Sequence, residues 1–148
     1  MSVDIQINRL DEWPAAAGSG ALFEEAAITA LATADRPMDG ELSITFVSEL
    51  EILDLNRRYL GVPHPTDVIA FDLGVADELL GDVYVSPTMA QAASAELGIP
   101  EVEELVRLVV HAVLHLLGHE HEEGEERYAS PMYRLQESIV ERLTGDRP

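Results

Sequence analysis

The sequence predicts an α+β fold of α/β-like character: a single domain over residues 1–148, with a mixed sheet of about four strands packed with about five helices. Three observations carry this expectation. Short runs of apolar–polar alternation recur along the chain, the period-two signature of strands. Longer runs with helical spacing lie between them and have recognisable starts and stops. Strands and helices are intermixed with some long crossovers, and 148 residues is the usual length of one domain.

The elements follow in order. Val3 to Asn8 alternates and reads as an opening strand, and Pro14 to Gly20 reads as a loop. Ala21 to Ala34, rich in alanine with Leu22, Ile28 and Leu31, is expected to be a helix that ends before Pro37. Leu42 to Val47 is a second strand. Ser48 is a candidate N-cap for a helix over Glu49 to Tyr59, with Glu51 placed to complete a capping box. Gly61 to Pro65 breaks that helix. Asp67 to Leu73 and Asp82 to Ser86 are two further strands joined by an acidic loop.

Ser86-Pro87 then starts a helix that runs to Leu97 and stops at Gly98. Pro100 opens the next, with Glu101, Glu103 and Glu104 in the first turn, where the helix dipole favours acids. It should reach Leu117 and stop at Gly118. A last helix is expected from Pro131 to Leu143.

Composition narrows the chemistry. Apolar residues make up 47% of the chain, enough for a real core. There are no cysteines, so disulfides and thiolate metal sites are excluded and any metal must be held by His, Asp or Glu. Nine basic residues, all arginine, stand against 28 acidic ones, for a net charge of −19. Such a field repels polyanions and counts against non-specific nucleic-acid binding, though a local site where arginines and a cation meet one strand stays open. No basic stretch leads into an apolar run at the start, and no apolar run is long enough to span a membrane. A cytoplasmic protein with no membrane and no DNA partner is expected.

Four of the five histidines fall in the segment His111-Ala-Val-Leu-His115-Leu-Leu-Gly118-His-Glu-His121. His111 and His115 lie one turn apart on one helix face, close enough to bind one ion together. Gly118 can end the helix in the left-handed conformation, and His121 can then return as a third imidazole. This three-His zinc helix has the ligand spacing of metzincin peptidases. Three protein ligands leave a fourth tetrahedral position for water, as in catalytic zinc sites, so the expected cofactor is one Zn²⁺ on His111, His115 and His121. Leu105, Leu108, Val109, Val110, Val113, Leu114, Leu116 and Leu117 make the helix apolar nearly all round, hence central. Imidazoles there are costly unless their nitrogens find partners, and an ion would supply them. The glutamate that serves peptidases as general base is Ala112 here, which argues against peptide hydrolysis.

With those residues in view, the chain resembles the YbeY family, bacterial endoribonucleases of ribosomal RNA maturation. His111, Leu114, His115, Leu116, Gly118 and His121 match its main motif, and the three histidines fall on its zinc ligands. Asn56-Arg57-Arg58-Tyr59-Leu60 with Thr66-Asp67-Val68-Ile69-Ala70-Phe71 resembles a second block, and Gly81-Asp82-Val83-Tyr84-Val85-Ser86 a third. Ala112, His119 and Glu120 replace the usual Gly, Tyr and Asp. Leu60 stands where the family carries an arginine important for activity, and Arg58 or Arg57 is the neighbour that would have to supply the charge.

The resemblance implies a cleft between the histidine helix and the sheet, with Thr66 and Asp67 near its wall. It makes Arg58 and Asp67 candidate catalytic residues and Arg57, Arg58 and Thr66 candidate substrate contacts. Each also has a plainer reading: Thr66-Asp67 as turn and cap chemistry, Arg57-Arg58 as a solvated helix end, Asp82 as structural.

The function implied is a zinc-dependent, single-strand-specific endoribonuclease acting in 16S rRNA 3′-end maturation and ribosome quality control. Its partners would be ribosomal RNA and small-subunit proteins. The alternatives are a zinc-containing ribosome-assembly factor without catalysis and, on spacing alone, a metallopeptidase.

Overall fold

Alternating residues in Ser2–Asn8 (β1), Asp39–Phe46 (β2), Val68–Asp72 (β3) and Glu78–Val85 (β4) build one sheet in the order β1-β2-β4-β3. The computed structural model describes residues 2–34, 38–74, 78–118 and 130–145. β1 and β2 pair in parallel, as do β2 and β4, while β3 runs antiparallel to β4 at the sheet edge. Register follows from the pleat. Leu42, Ile44 and Phe46 of β2 lie opposite Gly81, Val83 and Val85 of β4, so one face is apolar. Gly40, at φ +140°, has no side chain to collide with the carbonyl oxygen of Leu79 across the pair.

The helices are Gly20–Leu31 (α1), Glu49–Leu55 (α2), Pro87–Leu97 (α3), Glu101–Leu116 (α4) and Pro131–Thr144 (α5). α4 is the hub: it touches α1, α3, α5, β3 and β4. Leu105, Val106, Val109, Val110, Val113 and Leu114 are fully or almost fully buried in the main core, which α1, α5 and the apolar sheet face complete. A smaller cluster of Val47, Ile52 and Ile69, with Leu55, Phe71 and Tyr84 packed on it, joins α2 to the opposite face.

Local signals in the sequence set most boundaries. The Ser48 hydroxyl accepts from the Glu51 amide at 3.1 Å and the Glu51 carboxylate accepts from the Ser48 amide at 3.1 Å, the expected capping box. Ser86 caps α3 with Pro87 in its first turn, and Gly98 ends it at φ +70°. Pro100 caps α4, and Gly118 follows it at φ +94°. Three expectations needed revision. β2 and β4 begin earlier than their alternation implies, because Asp39 to Glu41 pair with Glu78 to Leu80 on one side and with Ser2 to Asp4 of β1 on the other. α1 stops at Leu31 rather than Ala34. The helix expected to reach Tyr59 is α-helical only to Leu55 and continues as one wide π turn over Asn56–Leu60.

Candidate metal centre and substrate groove

His111 and His115 project from one face of α4, their ring centroids 4.8 Å apart and their planes nearly perpendicular at 76°. Both are half-buried, in a helix otherwise almost wholly inside. Heptad-free apolar patterning puts α4 at the centre, and the two imidazoles mark the stripe of it that leaves the core.

That stripe is the wall of a groove of about 960 Å³. The far wall is the edge strand β3 with the loop before it, contributing Leu60, Thr66, Asp67, Val68, Ala70 and Asp72. α5 closes one end through Met132, Tyr133, Gln136 and Glu137. Asn56 shapes the loop: its buried amide donates to the His64 carbonyl at 2.8 Å, while its own carbonyl accepts from the Val62 amide at 3.1 Å. Thr66 and Asp67 thereby reach the groove, as expected, and the Thr66 hydroxyl lies 3.4 Å from the Asp67 carboxylate.

Arg57 and Arg58 are not brought there. Both are exposed on the π turn, and Arg58 pairs with Asp54 at 3.2 Å, one turn earlier. The residue of that turn in the groove wall is Leu60. Asp82 is engaged by Tyr84, whose hydroxyl donates to it at 2.7 Å; burial, then that carboxylate, push the phenol up to about 12. Ala112 is buried and meets the groove wall only with its methyl group, which has no proton acceptor to offer.

Beside the histidines lies a polar chain that pattern reading overlooked. Arg107, one turn before His111, makes two 2.9 Å hydrogen bonds to the Glu137 carboxylate. It also reaches Glu104 at 3.3 Å and Glu103 at 3.4 Å. Burial opposes the Arg107 charge, but Glu137 and Glu104 hold it above the ordinary value. Burial likewise opposes the Glu137 charge, and the arginine outweighs it, so this carboxyl lies below the usual range. Gln136 donates to Glu137 at 3.0 Å, and its Oε1 sits 2.7 Å from His111 Nδ1. One signal was available: residues 107, 111 and 115 recur every four positions, so the arginine shares the histidine stripe.

Two imidazoles 4.8 Å apart on one helix face, both opening on a groove, fit a divalent borderline-soft ion such as zinc. Among the described residues, no group of three or more His, Asp or Glu side chains is close enough to hold one. His121, expected as the third ligand, and its neighbours His119 and Glu120 lie outside the described residues. No helix among the described residues is long and apolar enough to cross a membrane.

Comparison with known proteins gives consistent matches. A family described as Endoribonuclease YbeY matches residues 11–144. Proteins named Endoribonuclease YbeY from Sulfurihydrogenibium sp. and Persephonella marina are 42% and 38% identical to this chain over 108 residues, covering 70% of each partner in both cases. The solution structure of TM1509 from Thermotoga maritima is 28% identical with a TM-score of 0.63, and covers 96% of this chain and 90% of that one.

Proposed function

The chain belongs to the YbeY family of endoribonucleases, and from that premise we propose that it is a zinc-dependent hydrolase cutting single-stranded RNA, with His111, His115 and His121 as ligands. Its proposed setting is 16S rRNA 3′-end maturation and ribosome quality control in the cytoplasm, with ribosomal RNA and small-subunit proteins as partners. The single observation that carries this reading is the imidazole pair on the groove wall.

A zinc ion held there supplies a Lewis acid that lowers the pKa of coordinated water and polarises a phosphoryl oxygen. The chain's own residues do the rest. His111 and His115 would hold that ion from a helix fixed by its packing on α1, α3, α5 and the sheet. Asp67 presents its carboxylate on the opposite wall, where an oxygen can accept the proton of the attacking water. The single Thr66 hydroxyl proton can go either to that carboxylate, 3.4 Å away, or to a phosphate oxygen. Leu60, Val68 and Ala70 give the wall an apolar surface on which an unstacked base can lie, which suits single strands. Arg57 and Arg58, exposed at the end of the π turn, suit backbone phosphates outside the groove.

A second reading, a zinc-containing assembly factor without catalysis, is favoured by Leu60 in the groove wall and by the −19 charge. One experiment separates them: zinc content by elemental mass spectrometry and cleavage of a single-stranded RNA, for wild type and His115→Ala. About one zinc per chain, with metal and cleavage both lost in the variant, supports the hydrolase. Stoichiometric zinc with no cleavage by wild type favours the assembly factor, and a folded wild type without metal refutes both.

A further inference from the structure

We infer that Gln136 is a positioning residue for His111: its amide, oriented by the Arg107–Glu137 ion pair, keeps the imidazole proton on Nδ1 and presents the Nε2 lone pair for ligation. The inference rests on the metal reading above and extends it to a residue that acts on the site through His111.

The chain of reasoning starts at Arg107, which can only donate. Its Nε and Nη2 grip the two oxygens of Glu137, each at 2.9 Å, so that carboxylate has one orientation. Glu137 can only accept, and its Oε2 lies 3.0 Å from the Gln136 side-chain amide. The atom of Gln136 facing it must therefore be the NH₂ group. That turns Oε1 toward His111, 2.7 Å from Nδ1. An amide oxygen accepts only, so Nδ1 must donate. A neutral imidazole has one proton, and the lone pair is left on Nε2.

The surroundings make this orientation count. Gln136 is 5% exposed, so little water competes for its amide. Both ends of the chain, Arg107 and His111, lie on α4 and its middle members, Glu137 and Gln136, on α5, so the packing of one helix on the other sets the ring. Ligating histidines generally donate their other N–H to an acceptor that fixes tautomer and ring plane. Here the acceptor is a neutral amide. A carboxylate at 136 would stand beside Glu137 and repel it, whereas the amide accepts at one end and donates at the other.

The test reads the tautomer directly. Long-range ¹H–¹⁵N NMR of the metal-free protein at mildly alkaline pH should show His111 as the Nδ1–H form in wild type. In Gln136→Leu, which keeps side-chain size without an acceptor, the form should change to Nε2–H or a mixture. Competition with a chromophoric chelator should show zinc held ~10–100-fold more weakly by Gln136→Leu. Gln136→Glu, which restores an acceptor, should keep the Nδ1–H form. An Nε2–H His111 in wild type overturns the inference whatever the variants do, even if zinc binds. Equal zinc affinity in wild type and Gln136→Leu overturns it too. A wild type that takes up no zinc but shows the Nδ1–H form refutes the metal reading, and leaves the role of Gln136 in ring orientation standing.

Discussion

Replacing Arg107 by Met should destabilise the protein by ~3 kcal/mol at neutral pH, and the deficit should shrink in acid. Methionine keeps much of the apolar stem and removes only the charge and its donors. The guanidinium serves Glu137 through two 2.9 Å bonds, Glu104 at 3.3 Å and Glu103 at 3.4 Å. Glu104 is 6% exposed, and the side chains of Arg107 and Glu137 are 21% and 29% exposed. Breaking a fully buried pair costs about 3–5 kcal/mol, and this partial exposure lowers the figure to ~2–4. For a chain of this length, the central ~3 kcal/mol corresponds to a fall in Tm of roughly 6–12 °C.

The sign of the pH dependence follows from Glu137. Its carboxyl is held below the usual range when folded, so the stabilisation is complete above the unfolded value of about 4.3 and is lost as pH falls through the lower folded value. The variant has no such pair to lose. Urea melts of both proteins at neutral pH and in the acid range below ~4 are the assay. A deficit under about 0.5 kcal/mol at neutral pH, or one that stays constant into acid, would refute the claim that Arg107 clamps α4 to α5.

Two further outcomes are expected. Gly81 lets the end of α4 settle on the sheet: a Cβ there would lie 2.7 Å from Leu116 Cδ1 and 3.0 Å from Leu42 Cδ1. Gly81→Val should therefore cost ~2–3 kcal/mol by overpacking, seen as a lower urea midpoint; a variant as stable as wild type would mean that the helix end is not seated there. At the other end of the sheet, hydrogen bonds from Arg9, then from Ser48, hold Glu51 down to about 2. The advantage of wild type over Glu51→Gln should be present above about 4.3 and fade as pH falls toward 2. These side chains are exposed, so that advantage should stay under ~1 kcal/mol. A difference independent of pH would detach it from this carboxylate.

The features legible in the residues alone are those that short-range chemistry controls. The Ser48–Glu51 capping box, the Ser86-Pro87 start and Gly98 stop of α3, and the all-round apolar pattern of α4 are complete within one or two turns of chain. The pairing of His111 with His115 was legible for the same reason, since helical geometry alone sets four-residue neighbours on one face. Membership in a family was readable from three blocks whose spacing needs no coordinates.

Features that depend on partners distant in sequence emerged with the folded chain. The order β1-β2-β4-β3 put β3 at the edge, and so made Thr66 and Asp67 a groove wall. Strand pairing extended β2 and β4 over residues with no alternating pattern of their own. The wide turn at Asn56–Leu60 placed Leu60 in the groove and left Arg58 beside Asp54, which a uniform helix over those residues would not foretell. Gln136 stands 25 residues from His111, and no local rule links an amide on one helix to an imidazole on another. That link exists because packing two helices in a core fixes which of their polar side chains are driven to satisfy one another.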